Sequence, residues 1–148
     1  MSSPILYHMT VRYYETDQMG IVHHSNYIRW MEEARIHAMR EGGVSLRDME
    51  AEGIQVPVTA VSCEYRKPAH FDDDICIEIL PERYNGVRME LGYRILREDD
   101  GELLSVGHSR HCFLDARTGY PVGMKRRSPA FHRILGKLFS NNEEEKDG

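Results

Sequence analysis

One long amphipathic helix is followed by a stretch that reads almost entirely as strands, and few folds accommodate that order. Tyr27, Met31, Ala34 and Ala38 recur at helical spacing with Trp30 on the same side. Arg29, Glu32, Glu33, Arg40 and Glu41 fill most of the opposite side. Ser25 and Asn26 are both good N-cap residues ahead of this stripe, and Gly42-Gly43 offers a left-handed stop behind it. From Ile54 to about Pro121 the period becomes two. Ile54, Val56, Val58 and Ala60 alternate, then Val61, Cys63 and Tyr65 continue one residue out of phase, which signals a bulge. Ile75, Ile77 and Ile79 mark the next strand. Asn85-Gly86 is a hairpin turn leading into Val87, Met89, Leu91, Tyr93 and Ile95. Asp99-Asp100-Gly101 turns the chain again, and Leu104, Val106, His108, Arg110, Cys112 and Leu114 form the last long alternation. Runs of strands beside one long helix imply the α+β class, with a mostly antiparallel sheet covering that helix. Apolar residues occur on both phases of several strands, so the second sheet face points to a dimer.

The remaining segments complete a single domain. Ile5 to Glu15 alternates as a first strand, and Ser45 to Glu52 reads as a short second helix stopped by Gly53. Ser128-Pro129 opens a short C-terminal helix whose apolar side is Phe131, Ile134, Leu135 and Leu138. The 148 residues suit one domain over 1–140 and a disordered acidic tail over 141–148, which holds Glu143, Glu144, Glu145 and Asp147. A net charge of −5 argues against general nucleic-acid binding. Apolar runs are too short for a membrane span, and no signal-peptide pattern opens the chain. Cys63, Cys76 and Cys112 are widely spaced with no CxxC, so neither a disulfide framework nor a zinc site is indicated. A reducing cytoplasm is the simplest setting.

The chemistry concentrates in eleven residues, Thr16-Asp17-Gln18-Met19-Gly20-Ile21-Val22-His23-His24-Ser25-Asn26. Asp17 stands a few residues before a helix N-terminus, where backbone N–H groups carry roughly half a unit of positive charge. A carboxylate beside such donors can supply a base or a nucleophile and polarise one carbonyl, which is what acyl-group chemistry requires. The backbone amides of His24 and Ser25 are the candidate donors. Asp17 has a plainer reading as a turn-capping residue. Gly20 permits a tight turn, and His23 can bind substrate, move a proton or simply pack at the start of the helix. A metal site on His8, His23 and His24 is disfavoured because no acidic or cysteine ligand lies at metal spacing along the chain.

The stretch VRYYETDQMGIVHHSNYIRWMEEAR, from Val11 to Arg35, closely resembles the signature of hotdog-fold acyl-CoA thioesterases. It is similar to the 4-hydroxybenzoyl-CoA thioesterase type, including the Tol–Pal-associated enzymes. Tyr65-Arg66-Lys67-Pro68-Ala69-His70-Phe71-Asp72-Asp73 matches the family's second pattern of tyrosine, Pro-Ala and paired aspartates. The resemblance implies a five-stranded antiparallel sheet wrapped around a long central helix, paired into a homodimer or homotetramer with sites between subunits. It places the catalytic aspartate at Asp17 and the motif histidine at His24. The chain departs from many relatives at His23, where they carry an aromatic residue.

The implied activity is hydrolysis of an acyl-CoA to a carboxylic acid and free coenzyme A. No cofactor is expected, coenzyme A entering only as part of the substrate. Its phosphates call for basic side chains or backbone amides. The turn Asn85-Gly86-Val87-Arg88 is the first choice for these contacts, with Arg66, Lys67 and Lys125-Arg126-Arg127 as alternatives. Tyr27, Trp30 and Met31 can line an acyl pocket or simply form core. A different branch of hotdog thioesterases uses a helix carboxylate, a role that would fall to Glu32 or Glu33 here; the preferred reading is a solvated or ion-paired helix face involving Arg35. Two rival functions share the fold: hydrolysis of acyl groups on acyl-carrier protein, and non-catalytic binding of acyl-CoA or a protein partner. Aliphatic and aromatic acyl groups, a naphthoyl type among them, all fit the sequence.

Overall fold

A computed structural model describes residues 4–147 of the protein, with side chains described through residue 140. Strand β1 (Ile5–Thr10) and a 3-10 turn (Tyr13–Glu15) precede helix α1 (Ser25–Glu41) and helix α2 (Leu46–Ala51). Strands β2 (Ile54–Gln55), β3 (Val58–Tyr65), β4 (Asp74–Tyr84), β5 (Arg88–Arg97), β6 (Leu103–Cys112) and β7 (Leu114–Asp115) follow. Helices α3 (Met124–Arg127) and α4 (Pro129–Asp147) close the chain. Five strands form one sheet in the order β1-β4-β5-β6-β3, and β2 pairs with β7 in a separate ribbon. Every neighbouring pair is antiparallel. The fold class and the sheet-around-helix arrangement are as the sequence and the resemblance imply. Among the described residues, no helix is long and apolar enough to cross a membrane. The acidic tail expected over 141–148 falls on residues whose side chains lie outside the description.

The core sits between α1 and the concave sheet face. Trp30, Met31, Ala34 and Ala38 of α1 are buried against Ile75, Ile77 and Ile79 of β4 and Met89, Leu91, Tyr93 and Ile95 of β5. Each large apolar side chain so buried contributes about 1.5–3 kcal/mol. Helix and sheet approach closely at Gly107 of β6, where an added Cβ would overlap the Met31 sulfur and meet the Ser62 carbonyl oxygen at 3.0 Å.

Four local expectations are corrected. The first strand stops at Thr10, because Glu15 turns inward instead of continuing the extended chain. Its carboxylate accepts from the Arg12 N–H at 2.8 Å and from Trp30 Nε1 at 2.7 Å. The helix begins at Ser25 with His24 in the cap position, in helical dihedrals and without a side-chain cap. Ser25 and Asn26 cannot cap, since the Ser25 hydroxyl bonds His23 Nδ1 at 2.8 Å and the Asn26 amide donates to the Glu15 carbonyl at 2.9 Å. The alternation from Ile54 is broken at Val56-Pro57, so Ile54 joins the small ribbon and β3 starts at Val58. The phase slip is real, and it lies between Val58 and Ala60.

The fourth correction concerns the last long strand. Its inward residues are mainly Ser105, Gly107, Ser109 and His111, on the opposite phase from the apolar alternation. This inner face is polar because its groups find hydrogen-bond partners on neighbouring strands and on one another. Tyr93 Oη and Ser109 Oγ lie 2.7 Å apart, Ser109 Oγ lies 2.8 Å from His111 Nε2, and the Ser105 hydroxyl donates to the Glu64 carbonyl at 2.8 Å. Buried Arg35 belongs to the same cluster, not to an ion-paired outer face. Glu33 instead accepts from the Tyr7 hydroxyl at 3.1 Å and pairs with Arg12 at 3.6 Å, while Glu32 is exposed.

His111 couples this cluster to pH. It is fully buried, and its Nδ1 has no hydrogen-bond partner among the described residues. Burial first, and the Arg35 charge second, push its pKa down to about 4, with the Pro57 carbonyl opposing. The unfolded chain therefore takes up a proton below about pH 6.5 that the folded chain refuses until about pH 4. The His111 contribution to stability is fully present above pH 6.5 and is lost as pH drops through that window, about 3 kcal/mol in all. Urea unfolding at pH 7 and pH 4.5 measures the loss, and His111→Leu should flatten it. An unchanged slope in that variant would assign the dependence to other groups.

Candidate active site

Asp17 occupies a closed loop at the mouth of α1. An isolated Thr16–Val22 bridge joins the loop ends. Inside it the Asp17 N–H donates to the Ile21 carbonyl and the Asp17 carbonyl accepts from the Gly20 N–H, both at 2.9 Å. Gly20 has φ +81°, a left-handed conformation that favours glycine. Asp17 Oδ1 also accepts from the Met19 N–H at 2.8 Å, so the turn-capping reading of this residue holds. The loop is anchored by Glu15, whose carbonyl accepts from the His23 N–H at 2.9 Å.

The same aspartate lines a cleft of about 310 Å³ with Met19, Ile21, Val22, His24, Tyr27, Tyr65, Arg66, Lys67 and Pro68. Tyr65 comes from the end of β3 and donates its hydroxyl to the His24 carbonyl at 3.0 Å. It meets the Tyr27 ring edge-on at 5.1 Å. Burial, then Cys63, push the Tyr65 hydroxyl up to about 12, so it remains a donor at neutral pH. Tyr27 is buried, and its oxygen accepts from the Ala69 N–H at 3.0 Å. The cleft thus has a carboxylate, an aromatic wall and two basic side chains on one rim.

The two candidate amide donors differ. The Ser25 N–H is taken by His23 Nδ1 at 3.2 Å. No partner for the His24 N–H occurs among the described residues, which leaves it available at the positive end of the helix. His23 stacks on His24 at 4.2 Å and does not line the cleft. Gly20 shapes the turn, also without lining the cleft.

The hairpin Asn85-Gly86-Val87-Arg88 is not brought to Asp17 within this chain. The Asn85 Oδ1 caps the turn by accepting from Val87 and Arg88 N–H, and the Gly86 carbonyl accepts from the Met124 N–H at 2.8 Å. Arg127 is also committed elsewhere, donating to the Glu52 carbonyl at 2.8 Å. Trp30 and Met31 are core residues and do not line the cleft. Met19, Ile21 and Val22 carry no functional signal in their residue types, only in their position inside the first motif, and Pro68 is marked by the Pro-Ala pattern of the second.

Residues 11–135 match the family described as the thioesterase-like superfamily. The chain belongs to that superfamily. Its solved relatives include a DHNA-CoA thioesterase from Staphylococcus aureus, 31% identical, covering 95% of this chain and 93% of that one with a TM-score of 0.89. The chain is 37% identical to "Putative acyl-CoA thioesterase YneP" of Bacillus subtilis, over 86% of this chain and 91% of the relative. It is 30% identical to a 1,4-dihydroxy-2-naphthoyl-CoA hydrolase of Thermosynechococcus vestitus, over 93% and 94% respectively. This superfamily member is therefore a thioester hydrolase with the hotdog fold. The narrower likeness to the 4-hydroxybenzoyl-CoA and Tol–Pal-associated types is not shown by these relatives, among which naphthoyl-CoA names are more prominent.

Proposed function

We propose that the protein hydrolyses an aromatic acyl-CoA at the Asp17 cleft. The observation carrying this reading is that Asp17 and His24 line one cleft at the start of α1 and that the His24 N–H has no partner among the described residues. The His24 amide polarises the thioester carbonyl as negative charge develops on its oxygen. Asp17 either attacks the carbonyl carbon, giving a mixed anhydride that water then opens, or deprotonates a water that attacks directly. In both routes the C–S bond breaks, and the thiolate of coenzyme A leaves and takes up a proton.

Two observations support the substrate assignment. The Tyr27–Tyr65 pair gives the cleft an aromatic wall suited to a flat ring, and a relative similar over 93% of the chain is named for 1,4-dihydroxy-2-naphthoyl-CoA. Arg66 and Lys67 on the rim suit the phosphates of coenzyme A. A second copy of the chain completes the site. The β3 edge is exposed along its length, with Val58, Val61 and Tyr65 each more than 40% accessible. Such an edge invites strand pairing, and a partner copy is the route by which Asn85–Arg88 reach a cleft they do not line in their own chain.

The test is a hydrolysis screen with free-thiol detection, across aliphatic acyl-CoAs of graded length, benzoyl-CoA and a naphthoyl-CoA. The aromatic thioesters should give kcat/KM at least tenfold above the aliphatic ones. A preference for aliphatic chains would overturn the aromatic assignment. Binding of all of them without thiol release would overturn the catalytic one.

A further inference from the structure

The outer sheet face, away from α1, carries a cluster that the hydrolase reading does not use. His8 of β1 stands directly opposite Cys76 of β4 in the antiparallel register, and Cys76 stands opposite Leu96 of β5. Directly opposed residues place their Cβ atoms about 4.5–5.5 Å apart on one face. Glu98, two residues beyond Leu96, returns to that same face by the period of two. One donor atom from each of His8, Cys76 and Glu98 lies within 4.8 Å of the other two. His8 Nδ1 and Glu98 Oε1 are already in contact.

We propose that His8, Cys76 and Glu98 form a binding site for a borderline-soft divalent cation, zinc being the representative. The donors are one imidazole nitrogen, one thiolate sulfur and one carboxylate oxygen. That set suits zinc or cobalt and does not suit magnesium or calcium, which take oxygen donors. Zinc bond lengths of about 2.0–2.3 Å in a tetrahedron require ligand atoms about 3.3–3.7 Å apart. Rotations of the exposed His8 and Glu98 side chains close that small difference.

The backbone beneath these side chains is fixed. Cys76 lies between Ile75 and Ile77, both fully buried. The Glu98 N–H donates to the Asp74 carbonyl at 2.8 Å, and the Thr10 hydroxyl donates to Asp74 Oδ1 at 2.8 Å. Charge favours a cation as well. The carboxylates of Glu98 and Glu78 act on the Cys76 thiol through their negative charge. Binding of a divalent ion displaces the thiol proton to solvent. Three protein donors leave the fourth position facing solvent, open to water. Because β1 is an edge strand, the ion would also pin it to β4 and β5.

Metal-free full-length protein titrated with Co²⁺ provides the test. The expected result is one equivalent per chain, with a thiolate-to-cobalt charge-transfer band and the visible bands of tetrahedral cobalt, both removed by added Zn²⁺. Zn²⁺ should raise the melting temperature of the wild type. His8→Ala and Glu98→Gln change exposed residues, so folding is retained, and each should weaken cobalt binding at least tenfold. Cys76→Ser should abolish the thiolate band. Absence of that band in the wild type, or its persistence in His8→Ala at unchanged affinity, would overturn the site. The first outcome leaves only a His8–Glu98 contact, and the second shows that the thiolate ligation does not use the His8 imidazole. None of these readouts depends on thioester hydrolysis.

Discussion

Asp17→Asn should leave the protein folded and lower kcat about 10²–10⁴-fold, the scale of a positioned acid–base group. The substitution is nearly isosteric. An amide oxygen at this position can still accept from the Met19 N–H, so the turn that Asp17 caps is preserved. Gly20 and the Thr16–Val22 bridge hold the loop independently of the side chain. What disappears is the negative charge and the basic oxygen of a residue that lines the cleft. Turnover of the best thioester from the screen, compared with a urea midpoint, separates chemistry from stability. Near-native turnover would reduce Asp17 to its capping role and move the search for the attacking group to Tyr65 or the histidine pair.

Glu15→Ala is expected to destabilise the fold by about 2–5 kcal/mol, the scale for leaving two hydrogen-bond donors without their acceptor. Glu15 is only 4% exposed. Its carboxylate receives the Trp30 indole N–H and the Arg12 backbone N–H, with the Arg12 guanidinium at 3.5 Å. Truncation strands two donors, one of them on the fully buried Trp30, each costing about 1–3 kcal/mol. Glu15→Gln keeps one acceptor oxygen and should recover a large part of the loss. The Asp17 loop hangs on Glu15 through its backbone carbonyl, which neither variant removes. Surviving molecules should therefore keep most of their turnover, and denaturant midpoints are the sensitive readout. Equal midpoints for wild type and Glu15→Ala would show that water reaches these donors.

The contrast between these two acids shows how far residue patterns reach. Asp17 was legible because turn residues and a helix start flank it within a run of a dozen characteristic positions. Glu15, two residues earlier, read as the end of a strand. Its contact with Trp30 is made across a turn that periodicity does not encode. The long helix and the hairpin at Asn85-Gly86 were legible for the opposite reason, since local spacing and a left-handed glycine specify them without help from distant residues. The last strand misled because its inner face is polar. Hydrophobic alternation locates the core only where burial is apolar, whereas Ser109 and His111 are buried by bonding one another and Tyr93, and Ser105 by bonding the Glu64 carbonyl.

The amino-acid order by itself determined the α+β class, the one long helix, the antiparallel hairpins and the aspartate at the helix mouth, because each rests on interactions within a few residues. Only the tertiary structure decided which amide at that mouth stays free, that Tyr65, Arg66 and Lys67 share a cleft with Asp17, and that the Asn85 turn stands apart from it. It alone decided that His8, Cys76 and Glu98 meet, at separations of 68 and 22 positions along the chain. Strand register makes neighbours of residues that spacing keeps far apart, and no period in the sequence carries that register.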